Sequence, residues 1–177
     1  MDLDAPGALA EVHRLLAVAE PRNTQIAADV TAALARGRNC LVLTRRVAHV
    51  EALTAMLAAR GYQPLVLQGS MTTTDRRAAV GRLADAKAGD GLLVIGTAPF
   101  IGEGFDAPAL DTLFLAGPIS YDGLLIQCAG RVIRAAPGKD VAEVHDYHDP
   151  ATPVLAASLQ RRMPGYRALG FTKTGER

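Results

Sequence analysis

The sequence predicts a parallel α/β domain, with a central sheet covered by helices on both faces. Three observations carry that prediction. Short, nearly continuous apolar runs recur along the chain, as strands buried on both faces do. Helix-type stretches separate them, and strand–helix–strand alternation at this spacing closes through right-handed crossovers. At 177 residues, with 49% hydrophobic and 21% charged residues, the chain has the size and composition of one packed domain.

Residues 1–22 read as a helical lead-in to a main domain at 23–150, followed by a basic extension at 151–177. Within the main domain "TQIAADVTAALARG" is a helix closed by Gly37, and "CLVLT" is the first strand. "VAHVEALTAMLAARG" is a second helix closed by Gly61; both glycines suit the residue just past a helix end. "PLVLQ" is the next strand, and "TTTDRRAAVGRLADA" a helix with capping threonines and Asp75 in its first turn. "GLLVIG" and "TLFLAG" follow as buried strands. Ser120 or Asp122 can cap the helix that carries "QCAGRVIR". "VAEVHDY" alternates more than the others and reads as an edge or less buried strand.

Composition excludes several classes. The formal net charge is +1, so any nucleic-acid surface must be local. Cys40 and Cys128 lie far apart in apolar settings, which fits neither a disulfide framework nor zinc and fits a reducing cytoplasm. No apolar run reaches the ~18 residues of a membrane span, and "MDLDAP" is too acidic for a signal peptide. His13, His49, His145 and His148 share no metal-ligand spacing with cysteines or carboxylates. No G-x-S-x-G nucleophile motif occurs.

In open parallel sheets ligands sit beyond the carboxyl ends of the strands. The polar groups delivered there are Thr44, Arg45 and Arg46, then Gly69 and Ser70, then Thr97 onward. Hydroxyls, amides and guanidinium groups of this kind suit a sugar-phosphate backbone, and equally a capped helix with solvated arginines. "GTAPFIGEGFDAP" offers a glycine-rich loop after a strand, with Glu103, Gly104 and Asp106; it suits a phosphate or ribose, or simply a tight turn. Gln127, Arg131 and Arg134 are spaced to fall within roughly 60° of one another on a helix. Two guanidinium groups one turn apart can fork a polyphosphate, or face solvent, or pair with a carboxylate such as Asp106. Gly130 beside them leaves room for a neighbouring element.

The order of these pieces is more specific than any one of them. "TRR" after one strand, "QGS" after the next, "GTAPFIGEGFD" after the third and then Q-x-x-G-R-x-x-R resemble the second RecA-like domain of superfamily-2 DEAD/DEAH-type helicases. The resemblance spans about residues 23–149. It implies a three-layer P-loop-NTPase-type fold without its own phosphate loop. It implies that Arg131 and Arg134 face the γ-phosphate of ATP, one as an arginine finger, while Gln127 couples nucleotide state to the domain interface. Gly104 and Asp106, with Glu103 beside them, would approach the nucleotide. Thr44, Arg45, Gly69, Ser70 and Thr97 would line a DNA or RNA track.

Neither G-x-x-x-x-G-K-[ST] nor a D-E-x-[HD] box is present; "PGKD" at 137–140 reads as a turn. The resemblance therefore implies an N-terminal RecA-like domain as partner, which would hold most of the ATP and Mg²⁺. The chain alone is expected not to hydrolyse ATP. Two other classes remain open from sequence. One is a stand-alone nucleic-acid or regulatory module using Thr97, Arg45 and the basic tail (Arg161, Arg162, Arg167, Lys173). The other is half of a nucleotide-sugar glycosyltransferase, with Glu103 as its acid or base.

Overall fold

The computed structural model describes residues 8–97, 107–117, 124–132, 134–147 and 149–173. Two helices, α1 (Ala8–Val18) and α2 (Glu20–Ala35), lead into strand β1 (Cys40–Thr44). Helix α3 (Val47–Ala58), strand β2 (Leu65–Leu67), helix α4 (Thr73–Asp85), and strands β3 (Leu93–Thr97) and β4 (Thr112–Leu115) follow. Helix α5 (Leu124–Val132), strand β5 (Glu143–Asp146) and helix α6 (Pro153–Ala168) complete the order. The strands pair in the order β2-β3-β1-β4-β5, every pair parallel.

Side-chain alternation along the strands builds two cores. Leu41, Leu43, Val94, Leu113 and Leu115 pack with α4, α5 and α6 through Ala79, Leu83, Cys128, Ala129, Val132 and Tyr166. Cys40, Val42, Leu93, Ile95 and Phe114 pack with α2 and α3 through Ile26, Val30, Val50, Leu53 and Leu57. This is the expected three-layer arrangement. The sheet separates Cys40 from Cys128, and burial pushes their thiols up to about 12 and about 11.

"PLVLQ" departs from the prediction of a fully buried strand. β2 pairs only with β3, so Leu65 and Val66 are half-buried. β5 is the opposite edge, as its alternation foretold, and all four residues are half-buried.

The helix ends follow their local sequence. Gly37 and Gly61 have φ of +75° and +86°. At the first, Arg38 N–H bonds Ala33 O and Gly37 N–H bonds Leu34 O; at the second, Tyr62 and Gly61 do the same to Leu57 and Ala58. Thr72 caps α4 by accepting from Asp75 N–H while its hydroxyl donates to the Asp75 carboxylate at 2.7 Å. Ser120 and Asp122, the expected caps of α5, lie outside the described residues.

The amino edge of the sheet is bolted by one buried side chain. Asn39 donates to Lys87 O (2.8 Å) and Ala109 O (2.9 Å) and accepts from Leu92 N–H (2.8 Å). Asp111 accepts from Asn39 N–H and from the Thr112 hydroxyl, and pairs with Arg38 at 3.1 Å.

The basic extension is part of the domain. Its helix α6 lays Tyr166, with Met163, Leu169 and Phe171, on the first core. Arg162 is 1% exposed and forks the Asp146 carboxylate at the end of β5 through Nε (2.7 Å) and Nη2 (2.8 Å). Ser158 and the Tyr166 hydroxyl complete that cluster. Arg162 is therefore withdrawn from any nucleic-acid surface, which corrects its place in the basic-tail reading; Arg161, Arg167 and Lys173 remain exposed. At the other end, α2 begins at Glu20, so the boundary drawn after residue 22 falls inside a helix.

Candidate functional site

The carboxyl edge gathers most of the residues expected along a polynucleotide. Register pairs Thr44 with Thr97 and Leu67 with Gly96, so the ends of β1, β3 and β2 lie side by side. Gly69 and Ser70 form an exposed turn closed by Met71 N–H to Gln68 O at 3.2 Å, while the Met71 side chain packs on the core. Arg45 is exposed and Thr97 half-buried at the same edge. Gln68 Oε1, next to the turn, is a buried acceptor without a hydrogen-bond partner. Gly117, just past β4, comes against this edge: a Cβ there would stand 3.3 Å from Thr44 Oγ1 and 3.4 Å from Arg45 N.

Thr44 is the exception. Its side chain is 1% exposed and its hydroxyl lies 2.7 Å from His49 Nδ1, so it faces inward rather than along the track. Nor does it cap α3: the N-cap is Arg46, which makes no side-chain cap bond. His49 Nε2 lies 2.9 Å from Asn23 Oδ1, and Asn23 Nδ2 donates to Ala17 O at 3.0 Å. That last bond orients the Asn23 amide, so Oδ1 accepts and His49 carries its proton on Nε2. Nδ1 then accepts from the Thr44 hydroxyl. Burial, with Arg22 and His13 nearby, lowers the His49 pKa to about 4, so the ring is neutral.

Arg22, outside the motifs, and Arg46, the last residue of "TRR", hold this edge in place. Arg22 donates to Ala116 O at 2.6 Å, pairs with Asp149 at 3.2 Å, and lies over the Tyr147 ring. Arg46, the N-cap of α3, donates to Ala10 O of α1 at 3.1 Å. Nothing in the sequence marks Arg22, Asn23 or His49 as a set; Asn23 and His49 are 26 residues apart, and Arg22 reaches Ala116 and Asp149.

Helix α5 buries Cys128, Ala129 and Val132 and leaves Arg131 half-buried in its last turn. Gln127 lies on the same helix, its side chain outside the described residues. Arg134 is exposed and sits beyond the helix end, which corrects the expectation of one continuous helical face. The physical reason is its backbone: Arg134 N–H turns back to Arg131 O, and Arg134 O is taken by Lys139 Nζ at 2.8 Å. A Cβ at Gly130 would meet no atom within 4 Å, so no neighbouring element closes on it among the described residues. "PGKD" is a turn, closed by Lys139 N–H to Ala136 O at 3.1 Å with Gly138 at φ +75°.

Glu103, Gly104 and Asp106 lie outside the described residues. His145 stacks on Phe114 and hydrogen-bonds Glu143, which gives it a packing role. Among the described residues no three His, Cys, Asp or Glu side chains come together as a metal site, and no helix is long and apolar enough to cross a membrane.

A five-stranded parallel sheet with these motifs in this order is the architecture of a helicase motor domain, and comparison bears on that directly. The family model for the helicase conserved C-terminal domain matches residues 24–136. The chain belongs to that family. Among solved structures it is similar to phage T4 UvsW, with a TM-score of 0.68 and 20% identity over 90% of this chain and 35% of UvsW. It is similar to E. coli DEAD-box protein SrmB, crystallised with the regulator RraA, at TM-score 0.57 and 22% identity, covering 76% of this chain and 78% of that one. The C-terminal domain of the DEAD-box protein Dbp5 gives 0.56 and 15% identity, covering 77% and 72%. No curated protein matches the sequence. The chain spans about a third of UvsW's length.

Proposed function

We propose that this chain is the C-terminal motor half of an ATP-dependent helicase or translocase acting on DNA or RNA. Its partner is an N-terminal RecA-like domain carrying the phosphate loop. The observation that supports this most is the family match across 24–136, a span that holds every motif residue at the carboxyl edge and on α5.

The donor set fits a shared nucleotide. Arg131 and Arg134 are cations at and just past the end of α5, suited to a γ-phosphoryl group that another domain binds. ATP would supply the phosphoryl group, with Mg²⁺ and the phosphate cradle on the partner. The chain's own part is to bring the two guanidinium groups to that group and stabilise charge developing on it. Gln127, Glu103, Gly104 and Asp106 would complete the nucleotide face. Arg45, Gly69, Ser70 and Thr97 would bind backbone phosphates without reading bases. The chain alone would then bind ATP poorly and not hydrolyse it.

The test is ATPase activity of the chain alone and mixed with an N-terminal RecA-like domain, each with and without single-stranded DNA and RNA. Only the mixture should turn over, and a polynucleotide should stimulate it. Arg134→Ala should then slow turnover by about 10³-fold or more with little change in nucleotide binding, as for other arginine fingers. Hydrolysis by the chain alone would refute the proposal.

A further inference from the structure

One half-buried ammonium ties together the two segments on which the proposed nucleotide face depends. Lys139 Nζ donates to Arg134 O at 2.8 Å and to Pro108 O at 3.2 Å. Arg134 carries the guanidinium expected at the γ-phosphate; Pro108 stands two residues after Asp106, expected at the ribose. The two carbonyls belong to segments 26 residues apart, from 108 to 134. Among the described residues no strand ladder joins these segments: β4 ends at Leu115, and α5 stops at Val132.

The lysine is itself held on both sides. The turn that delivers it is closed by Lys139 N–H to Ala136 O, and at Gly138 a Cβ would come within 3.3 Å of Ala88 Cβ. Three ammonium donors on one nitrogen allow a single side chain to serve both carbonyls, which no neutral side chain of that reach can do. Partial burial lowers the pKa of Lys139, the cost of desolvating the ammonium that the two carbonyls offset.

We propose that Lys139 is a positioning residue for the arginine-finger segment, clamping the carbonyl of Arg134 to that of Pro108. It fixes where the Arg134 side chain starts relative to the ribose-facing loop. This rests on the function proposed above. A clamp of this kind acts on the geometry of the transition state, and displacement of a catalytic group by about 1 Å costs up to about 100-fold in rate.

The experiment uses the full chain with an N-terminal RecA-like domain and single-stranded polynucleotide. Lys139→Met keeps the unbranched stem and removes the ammonium. It should lower kcat by about tenfold or more while KM for ATP stays within about twofold, because positioning of a finger is felt in the transition state. The second variant is Lys139→Cys, alkylated with 2-bromoethylamine to rebuild an ammonium on a side chain of nearly the same length. Cys40 and Cys128 are buried with raised thiol pKa values, so the native protein is modified at the new thiol. Alkylation should restore most of kcat. Unchanged kcat in Lys139→Met, or a loss that alkylation leaves in place, would overturn the clamp while the half-motor reading stands. A wild-type mixture without polynucleotide-stimulated turnover would overturn both.

Discussion

Acid should unfold this domain through His49 before its carboxylates titrate. The ring is 1% exposed, its two nitrogens are occupied by Thr44 and Asn23, and its pKa falls from 6.5 to about 4 chiefly through burial. A base whose pKa is lowered on folding binds its proton more tightly when unfolded. The stability it contributes is therefore complete above pH 6.5 and is lost as pH falls from there towards about 4. That difference corresponds to about 3 kcal/mol, a large share of a domain's ~5–15 kcal/mol. Protonation would also put a second donor against the Thr44 hydroxyl, whose oxygen would have to accept instead, loosening the end of β1. The assay is urea denaturation of wild type and His49→Gln at intervals from pH 7 to pH 4.5. Wild type should lose stability steeply across this range, and His49→Gln, though weaker at pH 7, should lose about 2 kcal/mol less. Parallel curves for the two proteins would refute the reasoning. His13, 8% exposed and also lowered to about 4 by burial and by Arg45 and Arg46, titrates in the same window and is present in both.

Other outcomes follow from the same contacts. Arg162→Met leaves the Asp146 carboxylate buried without its fork and should cost about 3–5 kcal/mol in urea denaturation. Asn39→Ala removes three hydrogen bonds at the amino edge and should cost about 2–4 kcal/mol, with the m-value unchanged. Gly130→Ala fills open space within a helix and should leave the isolated chain as stable or up to about 1 kcal/mol more so by thermal melting. If Gly130 faces a partner domain, the same change should weaken the mixture's ATPase.

The five strands, the helices between them and the helix ends marked by Gly37, Gly61 and Thr72 were legible in the sequence because each rests on local chemistry. Continuous apolar runs need no knowledge of neighbours to read as buried strands, and Gly37, Gly61 and Thr72 act on groups within one turn of themselves. The motif order was legible for the same reason: strand ends deliver polar residues wherever the strands finally lie. Burial at long range was not. "PLVLQ" reads like a central strand, yet strand order makes it an edge. Thr44 reads as a ligand-facing hydroxyl until His49 and Asn23 turn it inward. Arg162 reads as one more exposed cation until α6 folds it onto Asp146, and Lys139 reads as a turn lysine until Pro108 and Arg134 bring two carbonyls to its nitrogen. Local propensity and periodicity are properties of a few neighbouring residues, and the sequence by itself determines them. Which charge is paired, which hydroxyl is hidden and which backbone is clamped depend on partners that other elements bring in, and only the tertiary structure decides those.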